Sequence, residues 1–425
     1  MAHILLIDVP GGNDFTVLED ALAVGHEVTF FTSDLSHYEG QGEVSARHLA
    51  SARKIVEIRP FSFDQFEEQI LAIHAQAPFD AVICLIDIRQ IEASRIAERL
   101  GLRYLNPKTA RLMRDKFSVR QKLADVGIRQ PAFAFANDVG SIREAVSRIG
   151  FPTVIKPADG YGSQNISIVR SEDDLEVICA DFDHNQSNPT DYGLGVKANN
   201  RFSVEQYVEG ALIGCDVFSD GKDRLLIGVN EKLMYPLPSF AIKGGHFPSN
   251  NFDMDALRSY AFAILDAVDF DIGAAHIEMI VADGVPYLVE VNARLVSAQI
   301  PFQMGYALER SLYVDLMDLH LGVATGRMVP FHAHGVCAIR WIVADKSGVL
   351  KTVRLPEEPG PGIRRVILFK LDGDTVRPPI SNGDRIGYVM AAAQTAAEAA
   401  DLAESYIARC DVVLEPEGRH GMRTP

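Results

Sequence analysis

No apolar run in this chain approaches the roughly 20 residues a membrane-spanning helix needs, so the sequence offers no candidate span. The opening MAHILLIDVPGG is too short and turns acidic too soon for a secretory signal. No lysine- or arginine-rich run offsets a formal net charge of -16, which argues against nucleic acid as the main partner. The five cysteines (Cys84, Cys179, Cys215, Cys337, Cys410) are scattered and lack metal-ligand spacing. They read as reduced, structural thiols of a cytosolic protein. No GxGxxG follows the first strand, and no GKS/T opens a helix, so neither a dinucleotide fingerprint nor a Walker loop is present. Internal repeats and low-complexity tracts are also missing. What remains is an ordinary globular composition, 47% hydrophobic and 23% charged over 425 residues, enough for about three domains.

The chain opens with a buried-type strand at 4–9, a helix through Leu18 and Leu22, and a strand at 27–31. Another strand at 81–86 precedes a helix at 91–100. This order predicts a doubly wound α/β domain. Gly11 and Gly12, after the first strand, either touch substrate or simply turn the chain. Asn106-Pro107 marks a boundary, and the helix expected from 108 to about 127 carries Lys116, a solvated lysine if taken alone. Lys156 ends a strand at 153–157, followed by a small-residue loop over 158–165 and a strand at 166–169. The tip of such a hairpin can present backbone N–H groups to phosphate oxygens. The polar stretch 180–200 reads as irregular. Strands follow at 202–208, 215–219 and 225–229. The stretch 235–251 is rich in Gly, Pro and Ser and is expected to form a lid loop. It carries His246, either a substrate contact or an exposed loop histidine. A helix is expected over 307–321, ending at Gly322. A strand-rich unit begins near 336 and closes with a helix from 391 to about 408.

The stretch around which these parts are organised is HIEMIVADGVPYLVEVNARLVSAQI, residues 276–300. Two β-branched runs flank Asp283-Gly284, a strong hairpin signal. Glu290 and Asn292 lie two apart and share a face, while Met279, Val289 and Val291 are expected to face a core. If the strands pair around the turn, Glu278 joins the polar face. Two carboxylates and an amide oxygen then form a hard-oxygen cluster suited to Mg2+ beside nucleotide phosphates. Arg294 adds a planar cation for an anionic reactant. His276, two residues before Glu278, either faces substrate as a neutral imidazole or packs beneath the sheet.

Lys116, Lys156, the glycine loop, Glu205-Gln206-Tyr207-Val208, Glu278, Glu290-Val291-Asn292 and Arg294, in this order, resemble the ATP-grasp superfamily. The closest likeness is to its carboxylate–amine ligases of the L-amino acid ligase type, which join amino acids into dipeptides. It covers nearly the whole chain and is most specific over 273–301, with a further similar segment at 384–404. The resemblance implies an ATP-grasp fold: a doubly wound N-terminal domain (1–105), an α+β core binding ATP and metal (106–325) and a strand-rich C-terminal domain (326–425). It implies ATP and Mg2+, with Mn2+ as a substitute. Lys116 and Lys156 would hold the ATP phosphates, and Gly160, Gly162 and Ser163 would close over them. Glu205, Gln206 and Val208 would form the adenine hinge. Glu278, Glu290 and Asn292 would bind the metal, Arg294 would face the acyl phosphate, and His276 and His246 would lie on the substrate side. Many members place a ribose-binding glutamate where this chain has Leu212, which leaves Glu209 or Asp216 as substitutes, or a loosely held ribose. The implied activity is ATP-dependent amide-bond formation between small carboxylate and amine substrates, by a cytoplasmic enzyme with no membrane or nucleic-acid partner and a homodimer as the candidate assembly. The alternatives are a carboxylase of the biotin carboxylase or purine-pathway kind and a non-catalytic ATP-binding partner.

Overall fold

The structure is a computed structural model and describes all residues except 10–14, 40–42, 161–165, 187–190, 195, 198–200, 237–240, 298, 324–329 and 416–425. The N-terminal sheet is fully parallel, in the spatial order Lys54–Glu57, Glu27–Thr32, His3–Ile7, Ala81–Cys84. The first of these to enter the sheet, His3–Ile7, is buried at every position, as a strand covered on both faces must be. A second, antiparallel sheet runs Phe133–Ala136, Phe202–Gln206, Thr153–Pro157, Ser167–Val169.

The largest sheet has eight strands. Its order is Val285–Asn292, Ile272–Ala282, Ala211–Asp220, Arg224–Met234, Ile242–Phe247, Val336–Ile342, Gly387–Ala393, Ile363–Leu368. The pairing of Ile242–Phe247 with Val336–Ile342 carries the sheet without a break from the middle of the chain into its C-terminal part. A three-stranded sheet of Thr375–Val376, Gly348–Arg354 and Asp411–Glu415 lies beyond. All five cysteines are unpaired, and no helix among the described residues is long and apolar enough to cross a membrane.

Several expected elements differ. The helix expected over 108–127 is two helices, Pro107–Met113 and Lys116–Asp125, because the Asp115 side chain accepts from the Ser118 N–H and starts a new N-terminus. That break puts Lys116 on the first turn of a helix rather than mid-face. The helix expected over 307–321 is likewise two, Ile300–Leu308 and Leu312–His320, separated at Glu309, whose φ is 53°. The polar stretch from 180 is helical as far as Gln186, and a short hairpin pairs Asp191–Gly193 with Val196–Lys197. The expected lid contains a strand, Ile242–Phe247, bonded on both sides, and its residues 237–240 lie outside the described ones.

His320 ties the first region to the core. Its Nδ1 donates to Arg103 O at 3.0 Å, and its ring stacks on Tyr104 with centroids 4.9 Å apart. Burial pushes its pKa down from 6.5 to about 4, so the folded protein keeps it neutral while the unfolded chain protonates it first. This contribution to stability is complete above pH 6.5 and is lost as pH falls toward about 4. The gap corresponds to about 3 kcal/mol in full. A His320→Gln protein is expected to lose less stability than the parent between pH 7 and 5, by about 2 kcal/mol. Denaturant midpoints at the two pH values check this, and parallel shifts in both proteins would contradict it.

Candidate active site

The hairpin forms as its sequence demands. Asp283 and Gly284 both have positive φ, 48° and 78°, the turn that matches the twist of the paired strands. Ile277, Met279 and Val291 turn into a core shared with Ile213 and Cys215 on the neighbouring strand and with the helix Met254–Ala267. That helix buries Leu257, Ala261, Ile264 and Leu265, an i, i+4, i+7, i+8 stripe, and is capped by Asp253. Burying each large aliphatic side chain there contributes about 1.5–3 kcal/mol, which holds the hairpin's opposite face in place.

On that opposite face the register sets Glu278 directly across from Glu290, and His276 across from Asn292. One expectation fails here. A bulge follows Glu278, so Met279 pairs with Leu288, and Leu288 rather than Val289 fills the core. The bulge leaves the Val289 carbonyl unladdered, and it accepts from Lys156 Nζ at 2.9 Å and from the Arg120 guanidinium at 3.1 Å.

Each carboxylate has its own cation. Glu290 Oε2 lies 3.1 Å from Lys116 Nζ, which also donates to Gly160 O at 2.8 Å. Glu278 pairs with Lys232 and accepts from His276 Nε2 at 3.3 Å. Burial alone would raise the pKa of both carboxyls; the lysines outweigh it and hold both below their ordinary value. His276 Nδ1 is 2.9 Å from Asp216 Oδ1, so both ring nitrogens face carboxylates. Burial pushes this imidazole down, but Asp216 outweighs it and the pKa is raised. His276 is thus held between Asp216 and Glu278, and it both lines the cavity and is buried. Asp216, 1% exposed and committed to His276, is not placed as a ribose ligand, whereas Glu209 is exposed.

The ring of His276 fits because residue 214 is glycine: a Cβ there would sit 2.6 Å from His276 Cε1. Gly214→Ala is thus expected to displace the imidazole from Asp216 and Glu278 and to cut ATP-dependent turnover by about tenfold or more. Steady-state phosphate release checks this; a variant with parental rates would show that the His276 position is immaterial.

Lys156 is almost fully buried and pairs with Glu205 at 3.0 Å, while Arg120 grips the same carboxylate at 2.7 Å. For Glu205, burial is again outweighed by Arg120 and Lys156, and its pKa falls to about 2. The Glu205 side chain thus anchors Lys156 from the hinge strand, where Ser203 lies directly opposite Lys156. Gln206 N–H donates to Ala132 O at 2.8 Å, and Val208 follows, half-buried, after the strand ends. Gly162 and Ser163 lie outside the described residues.

A cavity of about 240 Å³ is lined by Gly160, His276, Glu278, Glu290, Asn292 and Arg294. Gly244, Gly245, Trp341, Asn382 and Arg385 line it as well. Arg294 pairs with Asp87, from the end of the N-terminal sheet, and NH1 donates to Leu295 O at 3.0 Å. His246 does not line this cavity; it lies 3.6 Å from Glu231, which also accepts from Ser249 and Asn251. The stretch expected to be a lid therefore supplies a wall through its two glycines. Sequence reasoning missed Lys232, Asp87, Arg120, Trp341 and Arg385, none of which stands in a local motif, and it weighed Asp216 for the ribose rather than for His276. A larger cavity, about 640 Å³, lies elsewhere beside Phe247 and Phe331, and no carboxylate among the described residues lines it.

Among the described residues no three His, Cys, Asp or Glu side chains are grouped to hold a metal ion. The candidate set needs only two carboxylates and the Asn292 amide. Asn292 Nδ2 donates to Glu290 Oε1 at 3.1 Å, which leaves its carbonyl oxygen as the atom for a cation. Two opposed carboxylates and an amide oxygen are hard donors and fit Mg2+.

Three family models match the chain: an ATP-grasp N-terminal domain over residues 18–102, an ATP-grasp domain over 149–301, and an L-amino acid ligase C-terminal domain 2 over 340–415. With the fold above, they show that the chain carries ATP-grasp domains and has the ATP-grasp fold. Its C-terminal part is of the kind found in L-amino acid ligases. The L-amino acid ligase of Bacillus licheniformis superposes with a TM-score of 0.78 at 17% identity, over 98% of this chain and 99% of that one. The biotin carboxylase domain of Hydrogenobacter thermophilus 2-oxoglutarate carboxylase, solved with MgADP, ADP and bicarbonate, gives 0.70 at 17% identity, over 97% and 91%. A Sinorhizobium fredii protein, "Uncharacterized protein y4rH", is 27% identical over 335 residues, 76% of this chain and 66% of its own length. The match thus spans just under two thirds of that relative.

Proposed function

We propose that the protein is an ATP-dependent ligase that joins a carboxylate to an amine, both of amino-acid type, through an acyl phosphate. The observation that carries this reading is the Glu278–Glu290 pair, opposed across one hairpin with Lys116 and Lys232 against it and Arg294 on the same cavity wall. A free carboxylate resists amines because its charge repels them and neither oxygen leaves. Transfer of the γ-phosphoryl group to a carboxylate oxygen, with release of ADP, makes a mixed anhydride. The amine then attacks the acyl carbon, phosphate departs with the bridging oxygen, and the amine loses a proton. Such transfers need positioning and charge neutralisation more than covalent help from the protein.

In this scheme Lys116 and Lys156 take up phosphate charge, each moving from the carboxylate that now holds it. Gly160, with Gly162 and Ser163, closes over the phosphates. The strand of Glu205 and Gln206, with Val208, receives the adenine edge. Glu278, Glu290 and Asn292 would hold Mg2+, which would supply positive charge to offset that of the phosphates. Arg294, steadied by Asp87, faces the carboxylate and its phosphate adduct, and the carboxylate-bound His276 keeps Glu278 in position. The three-region division at about 105 and 325, a cytoplasmic setting and a homodimer belong to the same reading.

The deciding experiment screens the twenty L-amino acids, singly and in pairs, for phosphate release with ATP and Mg2+. Release driven by an amino-acid pair and not by bicarbonate supports the ligase. Release driven by bicarbonate identifies a carboxylase, and none with either identifies a non-catalytic ATP-binding protein.

A further inference from the structure

The cavity's charges are matched almost throughout. Glu278 has Lys232 and His276, Glu290 has Lys116, and Arg294 has Asp87. Arg385 breaks the pattern. Its guanidinium lies over the Trp341 ring, 3.7 Å from the centroid, and NH2 donates to Asn382 Oδ1 at 2.5 Å and to Ile242 O at 3.3 Å. No carboxylate among the described residues lies within 4.0 Å of it, so its partners are neutral. The four undescribed residues before Ala241 are Leu, Pro, Ser and Phe and bring no acid by sequence. Burial pulls this guanidinium down to about 9, the mark of a cation held without a counter-ion.

Two donors in the same stack also lack acceptors. Arg385 Nε and Trp341 Nε1 are both buried with no hydrogen-bond partner. Leaving buried donors unpaired is costly, so native structures keep few of them. Asn382 Oδ1 is taken by Arg385 and by the Ile242 N–H, which leaves its NH2 group as a third donor. Arg385, Trp341 and Asn382 all line the cavity, and a guanidinium with only neutral partners beside an amide NH2 suits a planar anion with two acceptor oxygens. Glu278, Glu290 and Arg294 line the same cavity.

We propose that Arg385, Trp341 and Asn382 seat the α-carboxylate of the substrate that supplies the amine. The acceptor is then a free amino acid rather than a simple amine, with its amino group directed toward the phosphorylated carboxylate. This rests on the ligase reading, in which the other substrate's carboxylate is consumed at the metal end. The seat holds a carboxylate that does not react, so it selects for the acid and discriminates against the corresponding amide.

The test compares each L-amino acid with its carboxamide, by calorimetric titration into the whole protein with ADP and Mg2+, and as acceptors in turnover. The parent is expected to favour the acid roughly tenfold or more. In Arg385→Gln that ratio is expected to fall to about twofold or less, with ADP affinity unchanged and part of the ratio restored in Arg385→Lys. Trp341→Phe keeps an aromatic ring beneath the guanidinium while removing the N–H and part of the ring system, so a reduced ratio there supports the seat even if Arg385→Gln misfolds. A parent indifferent to acid or amide, or variants with the parental ratio, would overturn the proposal. If no amino acid drives phosphate release, the ligase reading falls while the binding ratio still decides whether the seat exists.

Discussion

A Glu290→Gln protein is expected to fold as the parent does and to release almost no phosphate from ATP. The substitution keeps the side chain's volume and removes one charge from a hairpin whose other face is packed into the core. Lys116 loses its ion pair but keeps Gly160 O at 2.8 Å. The opposed Glu278 loses a like-charged neighbour, which offsets part of that loss. Stability should therefore change by about 1 kcal/mol or less. Activity should not be spared. A glutamine amide brings no negative charge to the cation beside Asn292, whose amide is already neutral, and losing one preorganised electrostatic partner of a transferring phosphoryl group costs about a hundredfold to a thousandfold. Thermal melts and phosphate release on one preparation check both halves. Parental turnover in Glu290→Gln would show that the cluster is only a charged sheet face.

Replacing Arg294 with lysine should separate binding from chemistry. The guanidinium already spends one arm on Asp87 and another on Leu295 O, so its position is fixed before any substrate arrives. A lysine keeps the charge but cannot hold Asp87 and grip a carboxylate as a planar fork. Arg294→Lys is expected to lower the ligation rate about a hundredfold while KM for ATP stays within about twofold. Asp87→Asn, which loosens the arginine without removing it, should fall between. Equal losses in ATP affinity and rate would place Arg294 in the nucleotide site instead.

The hairpin was legible because its signals are local: Asp283-Gly284 dictates the turn, and the period-2 pattern sends Glu278, Glu290 and Asn292 to one face. The parallel N-terminal sheet was legible for the same reason, its apolar runs being broken by helices. What could not be read were partners brought by distant strands. Lys232 and Arg385 reach the cavity from a strand and a loop of the large sheet, Asp216 reaches His276 from another of its strands, and Asp87 comes from the short helix after the strand Ala81–Cys84. Each is an ordinary charged residue until the long-range pairing is known. Local exceptions hid the rest. The bulge beside Glu278 moved Val289 out of the core, and Asp115 split one long helix in two. In 235–251 the Gly- and Pro-rich composition suggested a loop, yet Gly244 and Gly245 sit in a strand whose neighbouring strands press close on both sides. A Cβ on them would lie 2.5 Å and 2.4 Å from Ile339 O and Glu231 O.

The acyl phosphate is the centre of the account, and oxygen transfer reports on it directly. The amino acid whose carboxyl group enters the new amide is supplied with both carboxylate oxygens replaced by oxygen-18, and the released phosphate is analysed by mass spectrometry. The account predicts one labelled oxygen in each phosphate formed, carried over when the amine displaces it from the acyl carbon. Phosphate that carries no label while the amide product accumulates would contradict it.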